Sequence, residues 1–394
     1  MYQKRRKCMV WLITAVFLVS MWPAFAFGSD SDNQTGISLD QAIRTVKDHF
    51  TIPAAYTDFS SSFNSSDNHH SWSLIWRDSS GQGGYFSAQV DAVTGEIISM
   101  NNWKPENGSR TYLPAISINE ARDIGTRFLE KLIPQRMASL QPVPGNQMIP
   151  LTNYDSASYT LRWERIANNI PVAGDGVNLE INLRNGEITG YNLNWSTLPL
   201  PSPAQAISAQ QAEQIFVTNE MVKLQYIIPP DYRPLAAKEK QSPLLVYTIA
   251  HESGGIIDAI KGTPLIPEPG QWLPNGGISY DQSAKGMEKR SKVASSPLTP
   301  EEEKEISQTA NLISKEEAVA AVDKYIGIPA GTELQSSNLD RDWQNPDNRI
   351  WSLYWSPVSS KPSSSLYARV NARTAEIISF SLDIPVTADQ KPDL

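Results

Sequence analysis

The hydrophobic and polar positions of this chain repeat one pattern at several places along its length. The clearest copy is the stretch 85–100, in which alternating side chains lead into a polar turn and then into a second β-rich run. The stretch 367–380 repeats it closely, and 178–191 repeats it more loosely. Each copy predicts a β-hairpin, so the chain contains an internal repeat.

The turn of each hairpin contains a position that requires a positive φ. Gly95 and Gly186 occupy this position in two copies, where the absence of a Cβ removes the steric penalty. The last copy has Ala375 there instead. This departure predicts either a different turn or a strained one.

A strand with large residues at every second position precedes the hairpins. The matching segments are Trp72–Trp76, Trp351–Trp355 and, more loosely, Tyr159–Trp163. Because side chains alternate between the faces of a strand, each segment presents one aromatic face. That face either packs on a helix or forms an exposed platform for sugars or peptides, and core packing is favoured because a small domain has few other residues large enough to fill it. Trp103 and Trp195, at the hairpin ends, are expected to be partly exposed.

An amphipathic segment that opens with Ile-Ser recurs four times. In each, a Ser at the N-cap is followed three residues later by Gln or Glu, which is the pattern of a capping box. The pairs are Ser38 with Gln41, Ser117 with Glu120, Ser208 with Gln211, and Ser314 with Glu317. The repeating unit is therefore one helix followed by about three strands (α-β-β-β), and it occurs four times.

These matches divide the chain into segments. They are a signal segment (1–26), repeat 1 (37–103), an enlarged repeat 2 (116–195), a Pro-rich linker (196–206), an abbreviated repeat 3 (207–265), a spacer (266–312) and repeat 4 (313–383). In repeat 1 the polar stretch 60–70 is expected to lead into the aromatic strand. In repeat 2 the segments 159–165 and 170–177 predict an extra strand pair or a loop. Repeat 3 is expected to have strands at 244–250 and 255–260 and no full copy of the hairpin.

The spacer contains a predicted short acidic helix. Three consecutive Glu follow Thr299 and Pro300, and carboxylates are stabilised near a helix N-terminus by the helix dipole. The segment Glu301–Ile306 is therefore expected to be helical and to present a solvated acidic face.

The first residues have the features of a secretory signal peptide. Residues 4–7 are basic, residues 9–21 are apolar, and Ala24-Phe25-Ala26 is a small-residue cleavage site. The apolar run is shorter than the ~20 residues of a membrane span, so cleavage is expected, with an uncleaved anchor as the alternative.

The rest of the chain is acidic and contains no cysteine. Cys8, the one Cys, lies in the signal segment, so disulfides and thiolate metal sites are excluded after cleavage. Removal of that segment with its basic residues changes the formal net charge from −8 to −12. Such a charge argues against binding to nucleic acid or to anionic surfaces.

The repeated order of elements resembles the PepSY family. The resemblance rests on a helix opening with Ile-Ser-x-x-Glu/Gln-Ala, an aromatic strand and the hairpin Val-Asp-Ala-x-Thr-Gly-Glu-Ile-Ile. The enlarged second and abbreviated third repeats resemble the related YcdB/YcdC-type repeats of secreted proteins from Bacillus-like bacteria. The resemblance covers nearly all of the chain after the signal segment. It implies an α+β fold with each helix packed on a small antiparallel sheet, a role in binding or restraining extracellular peptidases, and no catalytic residues to carry over.

A search of the residues for reaction chemistry gives weak candidates. His251-Glu252 begins like a zinc-peptidase helix but lacks a second His four residues on and lies between two β-like runs. His69 and His70 point to opposite sides of an extended chain, which disfavours a metal site. The segment Gly81–Gly84 is flanked by strands, so a hairpin loop is favoured over a phosphate-binding loop.

The carboxylates that flank the repeated turn are the remaining candidates. Asp91 and Glu96 are placed as a possible acid and base, but Asn182 and Asn371 replace the Asp in two copies. Asn and Asp share the ability to accept hydrogen bonds from backbone amides in a turn. A structural role is therefore favoured.

We expect no catalytic, cofactor-binding or metal-binding residues and no cofactor. The leading interpretation is a secreted or cell-wall-associated, non-enzymatic protein that binds or modulates a secreted or cell-wall peptidase or another envelope protein. No nucleic acid is expected as a partner, and a membrane only through an uncleaved signal segment. The alternatives are a structural or carbohydrate-binding cell-wall component and an undetected hydrolase.

Overall fold

A computed structural model of the chain describes residues 36–66, 69–81, 83–105, 114–144, 158–228, 243–267, 296–357 and 364–384. The signal segment and most of the spacer lie outside the described residues. The described helices and strands belong to one unit of the chain, residues 37–394. None of these helices is both long and apolar enough to cross a membrane.

The helices begin where the capping boxes predict them. Their bounds are α1 (Leu39–His49), α2 (Ile118–Leu132), α3 (Ala209–Thr218), α4 (Pro300–Thr309) and α5 (Lys315–Tyr325). All four predicted capping boxes are confirmed, because both hydrogen bonds of each are present. Their N-cap residues are Ser38, Ser117, Ser208 and Ser314. A fifth capping box joins Thr299 to Glu302 at the start of α4.

Repeats 1, 2 and 4 each contain four strands, where about three were expected. Repeat 1 has β1 (Asp58–Ser66), β2 (His69–Arg77), β3 (Tyr85–Asp91) and β4 (Ile97–Trp103). Repeat 2 has β5 (Leu140–Pro142), β6 (Ser158–Ala167), β7 (Ile170–Asn182) and β8 (Ile188–Asn194). Repeat 3 has β9 (Val222–Ile227), β10 (Leu244–Ile249), β11 (Ile257–Asp258) and β12 (Thr263–Pro264). Repeat 4 has β13 (Thr332–Arg341), β14 (Arg349–Pro357), β15 (Ser365–Asn371) and β16 (Ile377–Asp383).

The strand that sequence reasoning missed is the one before the aromatic strand. In repeat 1 it is β1, which covers much of the polar stretch expected only as a lead-in. Phe59 and Ser61 are buried at alternate positions, and Phe63 packs against the same core. The Ser-rich sequence hides this period of two, because a buried Ser reads as polar.

The α+β class is confirmed, but the expected small separate sheets are not. Twelve strands form one antiparallel sheet in the order β16-β15-β14-β13-β1-β2-β3-β4-β8-β7-β6-β5. Repeat 4 joins repeat 1 where β13 pairs with β1, and repeat 1 joins repeat 2 where β4 pairs with β8. A four-stranded sheet leaves unpaired amide and carbonyl groups along both edges, and edge-to-edge pairing satisfies them.

The helices cover the aromatic strands and close the core. One buried cluster extends through repeats 1 and 2, and a second lies in repeat 4. The tryptophans buried in these clusters are Trp72, Trp76, Trp163, Trp351 and Trp355. Core packing of the strand Trp residues is therefore confirmed.

The middle of repeat 2 is a strand pair, one of the two alternatives the sequence left open. β6 and β7 are joined by Asn168 and Asn169, which both have positive φ, at 52° and 63°. Such a two-residue turn matches the twist of antiparallel strands.

Repeat 3 contributes no strand to the large sheet. β9 pairs with β10, and β11 pairs with β12, in two separate two-stranded sheets. The β11–β12 hairpin repeats the turn, but its strands have only two residues each, so repeat 3 has no full copy of the hairpin. Asp258 Oδ1 accepts hydrogen bonds from the amides of Ile260 and Lys261, both at 2.9 Å, as Asp91 does in repeat 1. The sequence comparison missed this turn because Thr263 and Pro264 stand where the other copies have Glu and Ile.

The repeated turn keeps its backbone even where glycine is absent. Gly95 and Gly186 have φ of 74° and 70°, and Ala375 has φ of 58°. The amide of Ala375 donates to the carbonyl of Asn371 at 3.0 Å, just as Gly95 donates to the carbonyl of Asp91 at 2.9 Å. The turn at Ala375 is thus the same turn with a side chain in the left-handed region, which is the strained alternative.

Candidate protein-binding surface

The Asp and Asn residues of the repeated turns bond to the backbone. Asp91 Oδ1 accepts hydrogen bonds from the amides of Val93 (2.9 Å) and Thr94 (2.7 Å). Asn182 and Asn371 each accept from the amide two residues on, at 2.8 Å. These hydrogen bonds support the predicted structural role of the three residues, because Asp and Asn accept them equally well.

The Glu residues of the first two turns connect repeat 1 to repeat 2. Glu96 Oε1 accepts a hydrogen bond from Arg136 Nε at 2.7 Å, and the guanidinium of Arg136 lies 4.3 Å from the centre of the Trp195 ring. Glu187 Oε1 accepts from Lys104 Nζ at 2.6 Å. Each of these carboxylates therefore has a cation as its partner across the junction between repeats.

The side chains of His49, His70 and His251 bond to residues two to five positions away in the sequence. The contacts are His49 Nδ1 with the Thr45 carbonyl (2.8 Å), His70 Nδ1 with Ser65 Oγ (2.9 Å) and His251 Nδ1 with Ser253 Oγ (3.0 Å). Burial lowers the pKa of His70 from its ordinary value, and the charge of Lys315 lowers it further. Within the described ranges no group of three or more His, Cys, Asp or Glu side chains is arranged to hold a metal ion.

The acidic helix α4 is packed against the sheet, which corrects the expected solvated face. Glu302 and Glu305 are almost completely buried. Glu302 accepts hydrogen bonds from Trp76 Nε1 and from Lys47 Nζ, both at 2.8 Å. Residues three apart lie on the same side of a helix, so α4 presents both carboxylates to the sheet while Glu303 stays exposed.

Glu305 connects repeat 1 to repeat 4. One carboxylate oxygen accepts from Ser61 Oγ at 2.9 Å, and the other accepts from Arg341 Nη2 at 2.7 Å and Arg349 Nη2 at 2.6 Å. Burial lowers the pKa of Arg349, and the charge of Glu305 opposes this effect. A cleft of about 160 Å³ opens beside these groups. Because Glu305 is already paired with two arginines, the cluster functions as a buried ion-pair network.

Sequence reasoning missed this network for a physical reason. The two arginines are 36 and 44 residues from Glu305, and nothing local in the sequence links them. The one available signal was the Thr299-x-x-Glu302 capping pattern, which identifies the helix start and not its buried face.

Repeat 3 exposes an apolar sheet face, which we call the ribbon face. Three cross-strand pairs form it: Val222 with Ile249, Leu224 with Tyr247, and Tyr226 with Leu245. All six side chains are exposed, and those of Tyr226 and Tyr247 are 76% and 73% accessible. Large apolar residues therefore form a continuous strip of three pairs in contact with solvent.

The opposite face of the same two strands is more polar. Lys223 lies opposite Thr248, and Gln225 lies opposite Val246. This face also carries the apolar pair of Ile227 and Leu244. β9 alternates between apolar and polar residues from Val222 to Tyr226, the pattern of a strand that buries one side, whereas β10 is apolar on both faces except at Thr248. In repeat 3 the ribbon face is not covered by the described part of the chain.

The helix of repeat 3 packs elsewhere, which explains the exposure. Ile215 of α3 lies near Gly262, and Phe216 lies near Gly255, both on the segment that carries the β11–β12 hairpin. No residue of α3 is fully buried. Of the ribbon face, Ile249 lies beside this contact, next to Gly255, and all six of its side chains remain exposed. The ribbon face therefore has the composition of a core face without the helix that covers such a face in repeats 1 and 4.

The sequence indicated only half of this surface. It predicted a strand at 244–250, which became β10, but not β9 or its pairing. The signal that was available is the alternation of Val222, Leu224 and Tyr226, which matches a half-buried strand.

Comparison with known proteins gives a family match for part of the chain. Residues 39–195 match the YcdB, YcdC repeated domain, which confirms the sequence resemblance for repeats 1 and 2. The matched region runs from α1 to Trp195, which follows β8, so one copy of the family's domain contains both repeats and the β4–β8 junction. No curated protein sequence matches the chain.

Two solved structures are similar to the chain at a low level. The C-terminal domain of YpeB from Bacillus megaterium aligns over 88% of this chain and 98% of that chain, with 10% identity and a TM-score of 0.31. MucB in complex with MucA(peri) aligns over 85% of this chain and 79% of that chain, with 10% identity and a TM-score of 0.10. At these TM-scores neither similarity supports an argument about fold or function.

Proposed function

From the match of residues 39–195 to the YcdB, YcdC repeated domain, we propose that this chain is a secreted, non-enzymatic binding protein of the cell envelope. Its partner is an extracellular peptidase, as the PepSY resemblance implies, and the binding site is the ribbon face. The observation that carries the proposal is the strip of three exposed apolar pairs on β9 and β10.

The physical argument starts from the instability of an isolated ribbon. A two-stranded sheet is marginally stable in water unless its apolar face packs against another element. Burial of apolar surface contributes roughly 25 cal/mol per Å², so a partner that covers the ribbon face stabilises both molecules. Tyr226 and Tyr247 suit such contacts, because aromatic residues with a polar tip are enriched at protein interfaces.

The partner's contacting segment is expected to be extended and apolar. β9 and β10 form a sheet by themselves, so each has one edge that pairs with no other described strand. An extended peptide can add to such an edge through backbone hydrogen bonds and place its apolar side chains over the ribbon face. A peptidase propeptide or surface strand has this chemistry.

Two further observations support the proposal. Secretion is supported by the signal-peptide features of residues 1–26. A non-enzymatic role is supported by the ion pairs and hydrogen bonds of the carboxylates most plausible as acid or base: Asp91, Glu96, Glu302 and Glu305.

The test is a binding and inhibition experiment with a matched pair of variants. Residues 27–394, which contain every described element, are incubated with secreted peptidases of the source organism, and bound peptidase and its turnover are measured. The Leu224→Asp/Tyr247→Asp variant introduces two carboxylates on the ribbon face. The Gln225→Asp/Val246→Asp variant introduces two on the opposite face of the same strands.

We expect the first variant to lose at least tenfold in peptidase affinity and the second to keep it. Equal binding by both variants would remove the ribbon face from the proposal. Failure of the unaltered chain to bind or slow any secreted peptidase would refute the peptidase-binding function.

The carbohydrate-binding alternative has less support. It relied on a platform of strand Trp residues, and these are buried in the core. Trp103 is exposed and stacks on Tyr85 at 6.0 Å between ring centres, but a single such pair gives no extended platform. Recovery of cell-wall glycan without any peptidase in the same experiment would favour this alternative.

A further inference from the structure

Strand β16 is an open edge of the twelve-stranded sheet and exposes a row of apolar side chains. The row consists of Phe380 and Leu382, which lie opposite Ala368 and Leu366, together with Ile378 at the register shift before them and Ile384 just after the strand. Phe380 is opposite Ala368 in the register of β15 and β16, and Ala368 belongs to the buried core of repeat 4. We call these four residues the edge row; Phe380 and Leu382 continue the core face of the sheet out to its edge.

The equivalent strands of repeats 1 and 2 are not edges. Phe380 is equivalent to Met100, because the sequence Glu-Ile-Ile-Ser precedes both residues. Tyr191 is the equivalent residue of repeat 2. Met100 and Tyr191 are 4% and 2% exposed because β4 pairs with β8, whereas Phe380 is 57% exposed. Repeat 4 thus exposes the position that repeats 1 and 2 bury against each other.

The β4–β8 junction has local two-fold symmetry. Met100 lies directly opposite Tyr191, its equivalent, and Ser99 lies opposite Asn192 while Asn101 lies opposite Gly190. Ser99 and Gly190 are equivalent, as are Asn101 and Asn192. The fourth strand of one repeat therefore pairs with the fourth strand of another around an axis through the Met100–Tyr191 pair.

The second junction follows the same rule with first strands. Phe63 of β1 lies opposite Leu339 of β13, and each is opposite the first Trp of its aromatic strand, Trp72 or Trp351. Equivalent residues again face each other. Both junctions between repeats in the large sheet join like strands around a local two-fold axis. Among the described strands of this sheet, β16 is the one fourth strand without a like partner.

Aromatic residues from the helix ends cover the β4–β8 junction. Phe128 of α2 lies 6.0 Å from Phe50, which follows α1, and 5.9 Å from Tyr191, measured between ring centres. Counted from the N-cap Ser, the position of Phe128 in repeat 4 is Tyr325, which is 67% exposed. The helix end of repeat 4 therefore also has an uncovered aromatic side chain at the equivalent position.

We propose that a second copy of this chain pairs with β16, strand β16 against strand β16, with the two Phe380 residues opposite each other on the axis. This register places Ile378 opposite Leu382 of the second copy, Ser379 opposite Ser381, and Glu376 opposite Ile384. Each apolar residue except Ile377 and Ile384 meets an apolar residue, and no like charges are opposed, so the edge is complementary to itself. A closed, isologous dimer results, with one continuous sheet across both copies.

The composition of β16 supports pairing with an identical strand. Edge strands that stay unpaired are usually protected by Lys, Pro, a short length or an inward charge, and β16 has seven residues with no Lys or Pro. At the other end of the sheet, β5 has three residues and ends in Pro142, which is such protection. This inference does not depend on the proposed function, because it concerns a different strand and a different partner.

Cysteine cross-linking tests the register directly. Residues 27–394 contain no Cys, so a single introduced Cys reports only on its own position. Phe380→Cys places two thiols opposite each other at roughly 5 Å between Cβ atoms. Ile378→Cys is the control, since its two copies would be about 13 Å apart along the strands, beyond the reach of a disulfide.

We expect Phe380→Cys to give a covalent dimer on mild oxidation, Ile378→Cys to stay monomeric under denaturing conditions, and Ile378→Cys/Leu382→Cys to cross-link. In sedimentation over a range of concentrations, the unaltered chain should dimerise. Phe380→Asp should be monomeric, because it opposes two carboxylates, and Trp343→Asp, at an exposed residue away from the edge, should still dimerise.

Other outcomes overturn the proposal. A chain that is monomeric at every concentration, or a dimer unaffected by Phe380→Asp, has no β16 interface. A dimer that dissociates with Leu224→Asp/Tyr247→Asp but not with Phe380→Asp would place the contact between copies at the ribbon face instead.

Discussion

Ala375 adopts a left-handed backbone conformation that glycine would adopt without strain. Its φ of 58° lies in the left-handed region, where a Cβ costs roughly 1–2 kcal/mol. The hydrogen bonds of the turn fix this conformation, since Asn371 accepts from the amides of Arg373 and Thr374 at 2.8 and 3.2 Å.

Replacing Ala375 by Gly should therefore raise the free energy of unfolding. The relief of strain is partly offset by the greater entropy of Gly in the unfolded chain, so we expect a gain of about 0.5–1 kcal/mol. Chemical denaturation of both proteins measures the change. The matched variant Gly95→Ala should lose about 1 kcal/mol, and a loss of stability in Ala375→Gly would contradict the strained turn.

His70 should make the free energy of unfolding depend on pH. Its pKa in the folded chain is lowered, first by burial and then by Lys315, while Asp91 opposes the shift. The unfolded chain therefore binds a proton at a higher pH, near 6.5, than the folded chain does. The contribution of His70 to the free energy of unfolding is fully present above that pH. It decreases as the pH drops below it, down to the pKa of His70 in the folded state.

The variant His70→Gln should lose this part of the pH dependence. Denaturation midpoints measured between about pH 5 and 7.5 should fall less steeply with decreasing pH than those of the unaltered chain. Identical slopes for the two proteins would show that His70 protonates equally in the folded and unfolded states.

At the scale of single elements, α4 bridges repeats 1 and 4. Its carboxylates Glu302 and Glu305 contact residues of β2, β1, β13 and β14, and so bridge two repeats. Removing one partner of a buried ion pair leaves the other charge uncompensated, which typically costs about 3–5 kcal/mol.

We expect Glu305→Ala to lower the free energy of unfolding by about 3–5 kcal/mol. The control is Glu303→Ala on the exposed side of the same helix, which should change it by less than about 0.5 kcal/mol. Thermal and chemical denaturation compare the two. Equal, small effects would mean that the ion pairs of Arg341 and Arg349 do not stabilise the fold.

Other elements show where sequence reasoning succeeds and where it fails. The helices were located from capping boxes, because a cap is a contact between residues three apart. β1 and the β11–β12 hairpin were missed, because Ser hides the alternation in one and Pro264 replaces the usual Ile in the other. The buried face of α4 was missed because its partners are distant in sequence.

At the scale of the whole molecule, repeats 1, 2 and 4 are joined edge to edge through one sheet. The linker residues 199–203 are exposed, so limited proteolysis should cut there first. Cleavage within α4, which lies in the predicted spacer, is not expected, because that helix is packed on the sheet.

After this cut the two fragments should stay together. Repeat 1 is held to repeat 4 by the β1–β13 ladder and by the bonds of Glu305, so the fragments should co-elute in native size-exclusion chromatography and separate only when denatured. Fragments that separate under native conditions would show that repeats 1 and 4 do not share a sheet.

The sequence by itself determined the local parts of this protein. Capping boxes, the repeated Asp/Asn turn, the aromatic strands and the resemblance of repeats 1 and 2 to the YcdB, YcdC repeated domain all follow from residues within a few positions of each other. Such features are set by short-range hydrogen bonds and by the alternation of side chains.

Only the tertiary structure decided how these parts assemble. Residues far apart in the chain decide which strand edges pair, which carboxylates of α4 are buried and which apolar faces stay exposed. The local sequence pattern does not indicate which distant residues come together. β4 and β16 illustrate the difference: their sequences are nearly the same at the start, yet Met100 is buried by a neighbouring strand and Phe380 is open to a partner.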